Sequence, residues 1–136
     1  DLHIEDFYRD VALTLNRLFA AFPVPVTLYV EDIAGPDQTD EFGLPSARSN
    51  ACFSTLLWLA KHDYLFFETT IRQEALDRAV LTQRAFVLLS QLETDAEGNT
   101  ARAVDRLRGA LRSAYGERIS RCVHELLEQA HQESRR

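Results

Sequence analysis

Apolar residues recur every three or four positions along most of the chain, a spacing that places them on one face of a helix. The pattern predicts a first helix over residues 4–22, a brief helix over 28–34 and longer helices over 50–61 and 83–92. Prolines directly after the first stretch end it, because proline disfavours helical backbone in the residue that precedes it.

Two stretches between the last two of these helices have the composition of β-strands. Residues 64–70 are aromatic and β-branched, and residues 75–81 alternate loosely between apolar and polar side chains. Their connection, residues 71–74, contains neither glycine nor an Asn-Gly pair, so we expect a longer, mobile loop there instead of a tight turn. A short strand is also expected at residues 25–27, directly after the first helix.

The last third of the chain carries a single line of apolar residues, spaced mostly by four positions. One interpretation is a continuous helix of about 30 residues, roughly 45 Å long, which the preceding core is too small to cover and which would pack in part on a partner. The other interpretation is a break at Gly116 that gives an antiparallel pair of helices. The residues of this line are Val104, Leu107, Leu111, Tyr115, Ile119, Val123, Leu126 and Ala130.

Polar segments divide the chain into two predicted units. Residues 35–45 are rich in glycine, proline and acidic residues and are expected to form a loop. Residues 93–100 form a second polar connector, in which Gly98-Asn99 marks a break. We therefore expect a domain over residues 4–92 and a helical extension over residues 100–133, which packs or dimerises.

Two segments carry a family resemblance. Residues 55–65 read TLLWLAKHDYL, a helix followed by a short stop and an aromatic-aliphatic strand, and residues 81–89 read LTQRAFVLL, a Leu-Thr pair followed by paired leucines. Residues 4–92 thereby resemble the winged-helix superfamily, although Asp63 and Ala85 stand where glycine is common in that family. The resemblance implies an α+β, mainly helical fold: a winged helix-turn-helix with a small β-hairpin wing, often dimeric when extended by further helices.

The distribution of charge limits the partners that the chain can bind. The net charge of −6 arises in residues 1–45, which hold nine acidic and two basic residues. Residues 46–84 hold five basic and four acidic residues, and residues 85–136 hold eight of each. Nucleic-acid-binding proteins usually present a basic face, and only the central segment has a basic excess, which is a single charge.

Five residues of that central segment are candidates for DNA contacts. A winged helix would place the helix that follows Ser46 in the major groove, where arginine pairs with guanine and asparagine with adenine. Arginines on the hairpin would contact phosphates, which fix the register without reading sequence. The alternative is that these residues form an ordinary solvated surface beside a protein-binding groove. The candidates are Arg48, Asn50 and Ser54 for bases, and Arg72 and Arg78 for the backbone.

Other chemistry is not expected from this sequence. His62-Asp63 is interpreted as the end of a helix, since a histidine is favoured there by the helix dipole. Cys122, His124 and His131 lack the spacing of a zinc site, and no glycine-rich phosphate motif or serine-nucleophile motif occurs, so we predict no metal, no cofactor and no enzymatic activity. Cys52 and Cys122 lie in helical patterns typical of buried thiols in a reducing cytoplasm. No apolar run approaches the ~20 residues of a membrane span.

Two hypotheses of function follow. The favoured one is a cytoplasmic, homodimeric winged-helix DNA-binding protein that regulates transcription. The alternative is an acidic winged-helix protein-interaction module, an adaptor or a subunit of a larger complex, that does not bind DNA itself. For the dimer, the predicted interface comprises Leu107, Leu111, Tyr115, Ile119, Val123 and Leu126.

Overall fold

The computed structural model describes residues 1–135, and it confirms an α+β, mainly helical fold. These residues form six helices and two small antiparallel sheets. In chain order the elements are α1 (Leu2–Ala21), β1 (Val26–Tyr29), α2 (Val30–Ala34), α3 (Ala47–Lys61), β2 (Leu65–Phe66), β3 (Thr69–Ile71), β4 (Ala75–Leu81), α4 (Gln83–Ser90), β5 (Leu92–Thr94), β6 (Thr100–Arg102), α5 (Ala103–Ser113) and α6 (Gly116–Ser134).

The central sheet is organised around β4, which pairs antiparallel with β1 on one side and with β2 and β3 on the other. The register between β1 and β4 shifts after Val26, and Arg78 has a positive φ of 53°. Both observations indicate a β-bulge, which places an extra residue in β4. Asp77 fixes it, since its carboxylate accepts hydrogen bonds from the Thr27 hydroxyl (2.9 Å) and the Arg78 N–H (3.0 Å). The bulge explains the loose alternation of this strand in the sequence.

The hairpin between β3 and β4 closes more tightly than expected. Ile71 pairs directly with Ala75, so the connection contains only residues 72–74. The backbone N–H of Glu74 donates to the carbonyl oxygen of Ile71 at 3.0 Å, and Arg72 has a φ of 52°. The prediction of a longer, mobile loop was wrong, because Arg72 itself adopts the left-handed conformation that glycine usually provides.

Helix α1 is the centre of the core and joins the two predicted units. It contacts α3 and β4 of the first unit and α5 and α6 of the second. Val11 and Leu15 of α1 are at most 1 % exposed, and so are Leu107 of α5 and Val123 of α6, all within one continuous cluster. The second unit is therefore packed on the first and completes its core.

The C-terminal segment is two helices, as the interpretation with a break at Gly116 predicted; the single continuous helix was wrong. Ala114 adopts a left-handed conformation with φ 61°, and α6 begins at Gly116. Ser113 stabilises the end of α5 by donating a hydrogen bond to the Ala110 carbonyl oxygen at 2.7 Å. The break lets α5 and α6 pack against each other and against α1.

A second hairpin, β5–β6, occupies the segment that was expected to be a polar connector. The Asp95 carboxylate accepts hydrogen bonds from the backbone N–H groups of Glu97 (3.0 Å) and Asn99 (2.8 Å), and Gly98 has a φ of 86°. These bonds favour its charged form, so the pKa of Asp95 is lowered, chiefly by Asn99. The segment 95–99 is thus a turn of defined structure, while loop 35–45 contains no helix or strand, as predicted.

Thr82 connects the hairpin to α4, and its loss is expected to destabilise the fold. Its hydroxyl accepts a hydrogen bond from the Ala85 N–H at 3.1 Å and donates one to the Asp63 carbonyl oxygen at 2.8 Å. Removal of such an N-cap typically costs about 1 kcal/mol. We expect Thr82→Ala to lower the free energy of unfolding in urea by about 1–2 kcal/mol. Thr82→Ser keeps the hydroxyl and should retain most of the stability; equal losses in both variants would contradict this role.

Candidate interaction surface

Helix α3 buries one side against the core and exposes the other. Asn50 and Ser54 both lie on the exposed side, together with Leu57 and Lys61. Ser46 begins the helix by accepting a hydrogen bond from the Ser49 N–H at 3.1 Å. Two of the three predicted base-reading residues are thus accessible to a partner of any class.

Arg48, the third predicted base-reading residue, does not lie open on that surface. Its guanidinium forms two hydrogen bonds to the carboxylate of Asp10 on α1, Nη1 to Oδ2 at 2.7 Å and Nη2 to Oδ1 at 2.5 Å. Asp10 is only 1 % exposed, and Asp6 adds a weaker contact to the Arg48 guanidinium at 3.8 Å. The hydrogen bond to Asp10 is the main reason that the pKa of Arg48 is raised. Arg48 is therefore a link between α1 and α3.

Asp10 is the residue that the sequence analysis missed at this point. It falls among the buried positions of α1, although it belongs to the acidic segment 1–45. Cys52 of α3 lies close to it, and the pKa of its thiol is raised to about 12, first by burial and then by the negative charge of Asp10. Burial also raises the pKa of the Cys122 thiol. Both cysteines are free and buried, as predicted.

The two arginines of the β3–β4 hairpin are exposed but lie beside carboxylates. Arg78 Nε is 3.2 Å from Glu68 Oε1, and Arg72 Nη1 is 4.0 Å from Glu74 Oε1. Arg72 is the more accessible of the two, with 84 % of its side chain exposed. Ion pairs at such exposed positions contribute little to stability, but the two carboxylates offset the positive charge of the arginines.

We call the exposed side of α3, together with β2, the β3–β4 hairpin and the residues between them, the α3–hairpin surface. It is nearly neutral, because its three cations face two carboxylates and only Lys61 lacks an ion pair within residues 1–135. It also exposes three large apolar side chains, Leu57 at 37 %, Phe66 at 60 % and Ile71 at 38 %. Its residues are Asn50, Ser54, Leu57, Lys61, Phe66, Glu68, Ile71, Arg72, Glu74 and Arg78.

The predicted dimer interface is mostly buried within the chain itself. Four of its residues are at most 4 % exposed, Leu111 is partly buried against the same core, and only Tyr115 is accessible, with 70 % exposed. Most of this line of apolar residues therefore packs within the chain, where α5 and α6 contact α1. The four buried residues are Leu107, Ile119, Val123 and Leu126.

A cleft between α3, α4 and α6 was also missed. Three of the four histidines line it, together with Trp58 and Arg84. The sequence contains partial signals, since Trp58 and His62 are four positions apart and His124 and His131 share a helical face. Nothing local in the sequence indicates that α6 returns to α3. His62 also ends α3, as predicted, and Asp63 after it has a φ of 66°, which explains why glycine suits that position.

Metal-binding groups and membrane-spanning helices were sought in the part of the chain that the structure describes, and neither was found. Residues 1–135 contain no group of three or more His, Cys, Asp or Glu side chains arranged to hold a metal ion. No helix in this range is both long and apolar enough to cross a membrane. Comparisons of the chain with family models, with curated proteins and with solved structures found no match.

Proposed function

We propose that this chain is a winged-helix protein-interaction module, an adaptor or subunit of a larger assembly, which binds its partner through the α3–hairpin surface. The order of helix, strand, two helices and hairpin follows the arrangement that the sequence resemblance implies, and this supports the winged-helix assignment. Sequence and fold alone do not decide the partner of such a domain. The charge and the apolar residues of the exposed surface favour a protein partner over DNA.

The observation that carries this proposal is the charge of the surface. Phosphate neutralisation supplies most of the affinity of non-specific DNA binding and much of the affinity of specific binding. Arg48, the only arginine of α3, is held by the buried Asp10, and the hairpin arginines lie beside Glu68 and Glu74. Lys61 remains as a cation without an ion pair among the described residues of this surface. Such a surface attracts a polyanion weakly.

The apolar residues of the same surface favour a protein partner. Protein interfaces are enriched in aromatic residues at their centre and surrounded by polar residues. Phe66 on β2 and Leu57 on α3 are partly exposed, and Asn50 and Ser54 lie on the same exposed side of α3. A partner with a matching apolar surface would bury these four side chains, none of which carries a charge.

The second candidate is the DNA-binding regulator. It is favoured by Asn50 and Ser54, which are accessible on α3, and by Arg72, whose side chain is 84 % exposed. In that function Asn50 would contact a base edge and Arg72 a phosphate. The two candidates differ in a property that is simple to measure, the response of binding to salt.

Binding to duplex DNA is the first test. We expect no saturable change in the anisotropy of a labelled random duplex at roughly 25 mM salt, because few phosphates can be neutralised. The matched variant, Arg72→Glu with Arg78→Glu, should behave like the wild type. Binding that weakens steeply with salt and is lost in this variant would contradict the adaptor proposal and support the regulator.

Photo-crosslinking in cells is the positive test of the adaptor. A photoreactive amino acid at Ser54 should yield one defined covalent protein product, whereas the same group at Gln132, exposed on α6, should not. Phe66→Glu introduces a charge at the most exposed apolar side chain of the α3–hairpin surface and should abolish the Ser54 product. Identical products from both positions, or a product that survives Phe66→Glu, would argue against docking through this surface.

A further inference from the structure

We propose that the cleft between α3, α4 and α6 binds a small planar aromatic carboxylate, whose ring contacts Trp58 and whose negative charge pairs with Arg84. This inference is independent of the proposed function, since the cleft lies outside the α3–hairpin surface. The cleft has a volume of about 710 Å³ and lies between three helices, within the size range of small-molecule sites.

Aromatic side chains hold one wall of the cleft in place. The Trp58 ring is stacked on Tyr64, with centroids 6.0 Å apart and planes at 16°, and its centroid lies 4.5 Å from that of His62. Phe7 of α1 also packs edge-to-face against the Trp58 ring, with the two centroids 5.2 Å apart, and this contact further restricts the position of the ring. A rigid aromatic wall gains stacking and burial energy with a planar ligand at little entropic cost.

Arg84 supplies a positive charge that no carboxylate within residues 1–135 neutralises. Its Nη1 donates to the His62 carbonyl oxygen at 2.7 Å and its Nη2 to the Ala130 carbonyl oxygen at 3.3 Å, while the guanidinium carbon lies 4.9 Å from the centre of the Tyr64 ring. Burial raises the pKa of Tyr64, so its phenol is neutral near pH 7 and adds no negative charge. A partly buried cation bound only to neutral groups is matched best by an anion.

Histidines add donors around that charge. His62, His124 and His131 line the cleft, and an imidazole N–H can donate to a carboxylate. The Tyr8 hydroxyl lies 3.0 Å from His124 Nδ1 and holds this ring. Glu128 is the only carboxylate among the lining residues, 3.6 Å from His124 Nε2, and it opposes an anionic ligand. Replacing Glu128 by a neutral residue should therefore raise the affinity for an anionic ligand, whereas loss of Arg84 should lower it.

The test uses the fluorescence of Trp58, the only tryptophan of the chain, with benzoate as the probe. At pH 7.5 and constant ionic strength, benzoate should quench the Trp58 emission saturably, with a dissociation constant roughly in the millimolar range that such a small ligand allows. Benzamide keeps the ring without the charge, and cyclohexanecarboxylate keeps the charge without the aromatic ring. Each should bind at least about fivefold more weakly than benzoate, since each lacks one of the two contacts.

Two variants connect the binding to the named residues. Arg84→Gln should weaken benzoate binding by about tenfold or more, and Glu128→Gln should strengthen it by about twofold to threefold. Circular dichroism checks that both variants are folded. If Arg84→Gln is unstable, Arg84→Lys is tested in its place; it keeps the charge and should retain part of the affinity. The proposal is overturned if quenching is not saturable up to about 20 mM, a concentration well above the expected dissociation constant. Equal binding of benzamide, or no effect of Arg84 variants that fold, would overturn it as well.

Discussion

Replacing Arg48 with alanine is expected to lower the free energy of unfolding by about 3 kcal/mol, measured by urea denaturation at pH 7. The substitution leaves the Asp10 carboxylate, 1 % exposed, without its two hydrogen bonds and without a counter-charge. Breaking a buried ion pair from one side typically costs about 3–5 kcal/mol. We expect the lower end of that range because the Arg48 side chain is 32 % exposed, so that solvent screens part of the interaction.

Two further variants separate the buried pair from surface electrostatics. Asp6→Asn removes only the 3.8 Å contact of a half-buried carboxylate with Arg48 and should change the stability by less than about 0.5 kcal/mol. Asp10→Leu combined with Arg48→Met replaces both charges by apolar groups and should recover most of the loss. If Arg48→Ala were as stable as the wild type, the link between α1 and α3 would have no energetic importance, and Arg48 would again be available as a DNA contact.

Replacing Leu107 with alanine is expected to destabilise the whole chain by about 2–5 kcal/mol, the usual cost of a large cavity in a packed core. Leu107 of α5 is completely buried in the cluster that also contains Val11 and Leu15 of α1. Because this core spans both units, unfolding followed by far-ultraviolet circular dichroism and by Trp58 fluorescence should give one coincident transition.

Tyr115→Ala provides the matched control, since Tyr115 belongs to the same apolar line but is 70 % exposed. It should change the stability by no more than about 0.5 kcal/mol. A dimer held by this line of residues would give the opposite pattern: a midpoint of unfolding that rises with protein concentration, and dissociation rather than a loss of intrinsic stability in Leu107→Ala. Either result would restore the interface that the sequence pattern first indicated.

The sequence predicted local elements well because their causes are local. The helical repeat indicated α1, α3 and α4, and the prolines placed the end of α1. The aromatic and β-branched run indicated strand structure over residues 64–70, which the fold divides into β2 and β3. Details that depend on one backbone angle were predicted less well: the tight β3–β4 turn was not predicted, and the break before α6 was one of two interpretations. Ala114 and Arg72 adopt left-handed conformations that their side chains do not favour, and these angles decide where α5 ends and how β3 turns into β4.

The candidate site depended on contacts between distant residues, and there the sequence was insufficient. Arg48 donates hydrogen bonds to Asp10, which is 38 positions away in the sequence, and Arg84 donates one to the carbonyl oxygen of Ala130, 46 positions away. An arginine on a helix has the same sequence pattern whether it faces solvent or a buried carboxylate. Asn50 and Ser54 were placed correctly on the exposed side because helical periodicity alone determines it.

The central position of α1 has a consequence for synthesis of the chain. Helix α1 ends at Ala21, whereas α6, which covers part of its apolar side, begins about 95 residues later at Gly116. At the usual rate of about 5–20 residues per second, the ribosome needs roughly 5–20 s to add this distance. During that time Val11, Leu15 and Leu18 have no complete core to enter. Among the helices that the structure describes, α1 is thus made before the others, and its core is completed only when α6 has been added.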